Sequence, residues 1–134
     1  VFRSHGLSVF GPSQAAAQLE ASKIFSKNFM LEFGVPTARY FEVSSVEEAL
    51  RAAENFSPPF VLKADGLAAG KGVFICENKN ELEFAARKIF VEKILSGAGE
   101  RALVEEFSPG EELSVLVATN GRDYEILPYT RDHK

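Results

Sequence analysis

Two apolar runs, Phe60-Val61-Leu62 and Val73-Phe74-Ile75-Cys76, flank the stretch Lys63-Ala64-Asp65-Gly66-Leu67-Ala68-Ala69-Gly70-Lys71-Gly72. The second run is β-branched and aromatic and resumes directly after the glycines, so the segment predicts strand, glycine-rich turn, strand. Glycine lets a backbone approach a ligand closely and adopt positive φ. Successive N–H groups of such a turn cradle an anion, and Lys63 adds a point charge at the strand end. The combination points to a polyphosphate, with a nucleoside triphosphate as first candidate.

The Walker P-loop is the obvious competitor: Gly, four residues, Gly-Lys, then Ser or Thr, opening a helix. Here three residues separate Gly66 from Gly70, Gly72 stands where the hydroxyl should be, and a strand follows instead of a helix. The pattern fails on all three counts. On this motif alone, a glycine-rich surface hairpin with no ligand stands as the alternative.

The flanking sequence extends the hairpin into a larger unit. Val9-Phe10-Gly11-Pro12 reads as a strand end and turn, and Ser13 caps a helix that Gly34 and Pro36 close. On that helix Leu19, Ser26, Met30 and Phe33 share a face with Phe29 at its edge, and Lys23 borders it. Lys23 either snorkels its ammonium to water or points at an anion held in a cleft. Residues 38–43 read as a strand. Ser45-Val46-Glu47-Glu48 is a capping box, and Val46, Ala49, Leu50 and Ala53 form the stripe of its helix, which Ser57-Pro58-Pro59 stops. Asn78-Lys79-Asn80-Glu81 opens a further helix with Leu82, Ala85, Ala86, Ile89 and Phe90 as its stripe, expected to end at Gly97 and Gly99. Residues 102–107 are a strand and Ser108-Pro109-Gly110 a turn. Residues 112–118 and 124–129 are strands joined at Asn120-Gly121, a strong hairpin signal. The middle is thus β-α-β-β-α-β followed by a hairpin. This is an α+β organisation with antiparallel pairs, not a Rossmann alternation.

Charge and cysteine content exclude several classes. With a formal net charge of -4 there is no basic excess for a nucleic-acid backbone. The single cysteine, Cys76, is expected as a small buried hydrophobe, with no disulfide framework or cysteine metal site. No signal-peptide order and no bilayer-spanning apolar run is visible, so no membrane partner and a cytoplasmic setting are expected. The chain starts without Met and ends at Asp132-His133-Lys134, and is expected to be a fragment of a longer protein.

A second informative segment is Glu105-Glu106-Phe107-Ser108-Pro109-Gly110-Glu111-Glu112-Leu113-Ser114. Acidic runs are commonly solvated loops. Bordered by strands, though, side chains alternate in and out, and Glu105 and Glu112, at the two ends of a strand-turn-strand, are placed to face one cleft. A carboxylate suits a ribose diol, and exposed backbone at the turn suits an adenine edge.

With these motifs in order, the chain resembles the phosphoribosylamine–glycine ligase family of the ATP-grasp superfamily. The resemblance is carried by Gly11-Pro12-Ser13-Gln14-Ala15-Ala16-Ala17-Gln18-Leu19-Glu20-Ala21-Ser22-Lys23, by residues 63–73, by residues 105–114 and by Asp132-His133-Lys134. Arg131 departs from the glutamine that the family places before Asp-His-Lys. The resemblance implies an ATP-grasp fold: residues 1–12 end a preceding N-terminal domain, 13–36 form a core helix, 37–107 the lid subdomain, and 108–134 start a second, incomplete core segment. It implies ATP as ligand, with Lys23 and Lys63 on phosphate oxygens and Asp65, Gly66, Gly70, Lys71 and Gly72 in the loop over the triphosphate. Glu105 and the backbone of Glu106, Phe107 and Ser108 would hold adenine, and Glu112 the ribose. Asp132, His133 and Lys134 would lie toward the substrates, glycine and 5-phosphoribosylamine. No catalytic side chain is assigned, and the acidic ligands of Mg2+ are expected beyond residue 134. The implied reaction is the de novo purine step that makes glycinamide ribonucleotide, ADP and phosphate through a glycyl phosphate, with this fragment inactive on its own. Another ATP-grasp carboxylate–amine ligase, or a nucleotide-binding module without catalysis, remains an alternative reading.

Overall fold

A computed structural model describes residues 2–68, 71–95 and 98–131. Two helices, Gln18–Ala21 (α1) and Lys23–Glu32 (α2), lead into a strand, Tyr40–Val43 (β1). Helix Val46–Ala52 (α3), strands Phe60–Ala64 (β2) and Val73–Cys76 (β3), helix Lys79–Phe90 (α4) and strand Ala102–Glu106 (β4) follow. A separate hairpin, Val117–Thr119 (β5) with Tyr124–Ile126 (β6), comes last.

The predicted glycine hairpin forms with Phe60 opposite Cys76 and Lys63 opposite Val73. β4 then inserts between β1 and β2, giving the order β1-β4-β2-β3 with every neighbouring pair antiparallel. Both helical crossovers therefore join strands that are parallel but separated by one strand, the split β-α-β arrangement. Alternation sorts the strand residues onto two faces. Val43, Phe60, Leu62, Ala64, Cys76, Ala102 and Val104 pack against Val46 and Ala49 of α3 and Leu82, Ala86 and Ile89 of α4. The fully buried Phe60, Leu62, Leu82, Ile89 and Val104 each contribute roughly 1.5–3 kcal/mol of burial. On the opposite face Val61, Leu103 and Glu105 are buried outside that cluster, and α2 crosses against β4 with Ile24 and Lys27 buried.

The capping box expected at Ser45 is present, shifted by one residue, and the helix start expected at Asn78 shows the same pattern. Ser45 Oγ accepts from the Glu48 N–H, while the Glu48 carboxylate accepts from the Ser44 N–H and hydroxyl rather than from the cap residue itself. Asn78 Oδ1 likewise accepts from the Glu81 N–H, and the Glu81 carboxylate from the Glu77 N–H.

Three expectations need correction. The helix expected from Ser13 to Gly34 is two helices, broken at Ser22, whose backbone is extended (φ -131°, ψ 118°). Ser22 caps α2 by accepting the Phe25 N–H. α2 does close at Gly34 (φ 65°), where Val35 donates to the Met30 carbonyl and Gly34 to the Leu31 carbonyl, a Schellman termination. Helix α4 stops at Phe90, well before the glycines: the Glu92 N–H turns back to the Arg87 carbonyl and Lys93 takes positive φ (50°). The strand expected from Glu112 begins only at Val117, with a single bridge from Ser114 to Thr130 ahead of it. Gly121 is left-handed in the loop between β5 and β6, and Asn120 Oδ1 accepts from the Arg122 and Asp123 N–H groups.

Candidate functional site

Glu105 lies on the sheet face that α2 crosses and is only 3% exposed. Val61 sits directly opposite it on β2 and Tyr40 on β1. Lys63 is the diagonal neighbour, two residues along β2, within reach of a long side chain. Its ammonium donates to Glu105 Oε2 at 3.0 Å. Lys27 approaches the same oxygen from the helix, at 3.2 Å. The other oxygen, Oε1, is buried and has no hydrogen-bond partner among the described residues. A carboxylate held by two ammonium groups is an acceptor on both oxygens, so Oε1 is an unmet demand for a donor.

Helix periodicity aligns the second wall. Lys23 and Lys27 are one turn apart, with Ser26 and Met30 on the same side. With Leu19 and Glu20 from α1 they line a cavity of about 490 Å³, inside the range of small-molecule sites. Its far side is Lys63, Gly66, Leu67, Ala68, Gly72 and Val73 from the hairpin, and Glu105 lies at its base. Lys23 donates across the cavity to the Gly66 carbonyl at 3.2 Å. The hairpin folds tightly: Gly66 has φ 95°, and a Cβ on buried Gly72 would sit 2.8 Å from Ala68 Cβ. Three lysines and two glutamates thus surround one space, with Lys23 against the glycine turn and Lys27 and Lys63 converging on Glu105. Tyr40, opposite Glu105 on β1, has its phenol held above its usual range, first by burial and then by the charges of Glu42 and Glu105.

The cavity therefore brings together Lys23, Lys63, Gly66, Gly72 and Glu105 of the residues expected from sequence. Asp65 stands behind the turn, not in the cavity lining. Its carboxylate accepts from the Ser22 hydroxyl at 3.0 Å and the Ile24 N–H at 3.1 Å. Glu106 is committed elsewhere: its N–H donates to the Arg39 carbonyl and its carboxylate accepts from Arg39 N–H and Nε. That pair holds the Glu106 carboxyl below its usual range. Lys71, Phe107, Ser108 and Glu112 are exposed and outside the lining. Gly70, Asp132, His133 and Lys134 lie outside the described residues. Lys27 and Ser22 were not singled out by the sequence patterns. The only available signal for Lys27 is its place one turn after Lys23, three residues from the apolar Ile24.

The architecture is that of the ATP-grasp proteins. N5-carboxyaminoimidazole synthase from Aspergillus clavatus, solved with ADP and its ribonucleotide, superposes with a TM-score of 0.74 at 18% identity, over 98% of this chain and 32% of that one. Phosphoribosylamine–glycine ligase from Thermotoga maritima superposes with a TM-score of 0.85 at 42% identity, over 92% of this chain and 32% of that one. In sequence, that ligase is 45% identical over 127 residues, 94% of this chain, and the Pasteurella multocida ligase is 44% identical over 133 residues, 99% of this chain. The chain spans 31–32% of the length of these curated relatives. The sequence model of the phosphoribosylglycinamide synthetase ATP-grasp (A) domain matches residues 21–134, and the chain belongs to that family.

Proposed function

We propose that the cavity binds ATP and that the chain is the nucleotide-holding part of an ATP-dependent ligase joining glycine to 5-phosphoribosylamine in the cytoplasm. The observation that carries this reading is the pairing, in one cavity, of an unmet acceptor with a cationic glycine turn: buried Glu105 Oε1 beside Lys63, and Lys23 against the turn that holds Gly66 and Gly72. A purine amine supplies the donor that Oε1 lacks, and phosphate oxygens match the ammonium groups and turn N–H groups. Family membership and the ADP-bound relative support the same assignment.

In the ligase reaction glycine's carboxylate attacks the γ-phosphorus, ADP leaves, and the amine of phosphoribosylamine displaces phosphate from the resulting glycyl phosphate. Two anions must meet, and Lys23 and Lys63 lower that repulsion in a site shielded from water. Asp132, His133 and Lys134 are assigned to the substrate side and Glu112 to the ribose. Among the described residues no group of His, Cys, Asp or Glu comes together to hold a metal ion. The described residues alone form no Mg2+ site. Among the described residues no helix is long and apolar enough to cross a membrane.

Calorimetric titration with ATP tests the reading. Lys23→Met keeps the length of the side chain and removes its charge, and is expected to weaken ATP about tenfold or more. Equal affinity in a folded variant overturns it.

A further inference from the structure

We infer that Lys27 is a positioning residue for nucleobase recognition: it fixes the Glu105 carboxylate so that Oε1 is presented, unpaired, to the 6-amino group of a purine. This rests on the nucleotide reading above. Lys27 is 7% exposed in the middle of α2. Its ammonium donates to Thr37 Oγ1 at 2.8 Å and to the Ala38 carbonyl at 3.0 Å and forms an ion pair with Glu105 Oε2 at 3.2 Å. Both lysines border the cavity, but the Lys27 side chain is 8% exposed and anchored to the segment entering β1, whereas that of Lys63 is 31% exposed.

The arrangement is an expensive way merely to pack a helix on a sheet. Burying an ion pair gives up the hydration of both charges, and an apolar side chain of similar volume does the packing at lower cost. A buried network satisfied on one side only is worse still. Lys27 and Lys63 together converge on Oε2, and among the described residues Oε1 has no donor. Two cations from two different elements define the carboxylate's direction, where one would leave it free to turn and offer either oxygen. Thr37 and Ala38 anchor the ammonium from the segment entering β1, so the carboxylate is referenced to the helix, the entering segment and the sheet at once.

The test is discrimination at the purine 6-position. ATP and purine-riboside triphosphate, which lacks only the amino group, are titrated into the chain, into Lys27→Met, into Glu105→Gln and into the double variant. A hydrogen bond to a charged acceptor predicts that the wild type prefers ATP by about 10- to 100-fold. Lys27→Met is expected to reduce that preference to about threefold or less, and to reduce it no further when Glu105→Gln is already present. A folded Lys27→Met with the wild-type preference overturns the inference while leaving the nucleotide reading intact. An equal loss from Lys27→Met in the Glu105→Gln background also overturns it, since Lys27 would then act through another group. Wild-type chain that binds neither nucleotide overturns the nucleotide reading and this inference together. Should Lys27→Met fail to fold, Lys27→Arg carries the test. It keeps the charge, but its planar fork cannot reproduce the bonds to Thr37 and Ala38 together with the ion pair to Glu105. An unchanged preference there overturns the inference, and a narrowed one upholds it.

Discussion

Asp65 accepts the Ser22 hydroxyl at 3.0 Å, tying the mouth of the glycine hairpin to the capping residue of the helix that faces it across the cavity. The Ile24 N–H, an otherwise unpaired donor of the first helical turn, goes to the same carboxylate at 3.1 Å. The two walls of the site are thus registered by a residue that lies outside its lining.

Asp65→Ala is expected to destabilise the chain by about 1–3 kcal/mol, through a lost cap and two donors left unpaired at a partly buried place. Urea denaturation measures it. A midpoint within error of wild type would show that the hairpin and α2 hold their places without this tie.

Gly72 is required for space, not for its dihedral angles. A Cβ there would meet Ala68 Cβ at 2.8 Å and Ala64 Cβ at 3.3 Å. Gly72→Ala should cost about 1–3 kcal/mol, and Ala68→Gly in the same chain should recover part of it, because the nearer clash is between two methyl groups. No recovery in the double variant would place the strain in the backbone.

Acid sensitivity follows from two capped carboxylates. Hydrogen bonds from the Arg39 N–H and guanidinium lower the Glu106 carboxyl below its ordinary 4.5, and those from the Ser44 N–H and hydroxyl lower Glu48. A folded pKa below the unfolded one means stabilisation that is complete above 4.5 and is lost as pH falls through the folded value. Glu48→Gln and Glu106→Gln should therefore differ from wild type most at neutral pH, with the gap closing in acid. A gap constant from neutral pH into acid would contradict the assignment.

Glu112 carries the ribose assignment on its place after the Pro109-Gly110 turn. Glu112→Ala should weaken ATP more than 2′,3′-dideoxy-ATP, by on the order of 1.5–3 kcal/mol for a lost charge-assisted bond. Equal weakening of both nucleotides would place Glu112 away from the sugar.

What the sequence discloses, and what it hides, divides along a physical line. The hairpin between Phe60 and Cys76 is legible because β-branched runs around glycines have few other solutions, and its register follows from alternation. The caps at Ser45 and Asn78 are legible because they are local. The break at Ser22 is not, since its cause is Asp65, forty-three positions away in sequence. The early end of α4 is hidden because Lys93, not a glycine, takes the left-handed turn. Lys27 looks like any helix-surface lysine until β4 places Glu105 beneath it. Lys23 was ambiguous between snorkelling and an anion, and the structure directs its ammonium to the Gly66 carbonyl at the cavity edge.

The most direct test is a crystal structure of the chain with a non-hydrolysable ATP analogue. The purine amino group is expected within hydrogen-bond distance of Glu105 Oε1, with the phosphates between Lys23, Lys63 and the glycine turn that holds Gly66 and Gly72. A nucleotide seated elsewhere, or Glu105 Oε1 still without a donor beneath a bound nucleotide, would contradict it.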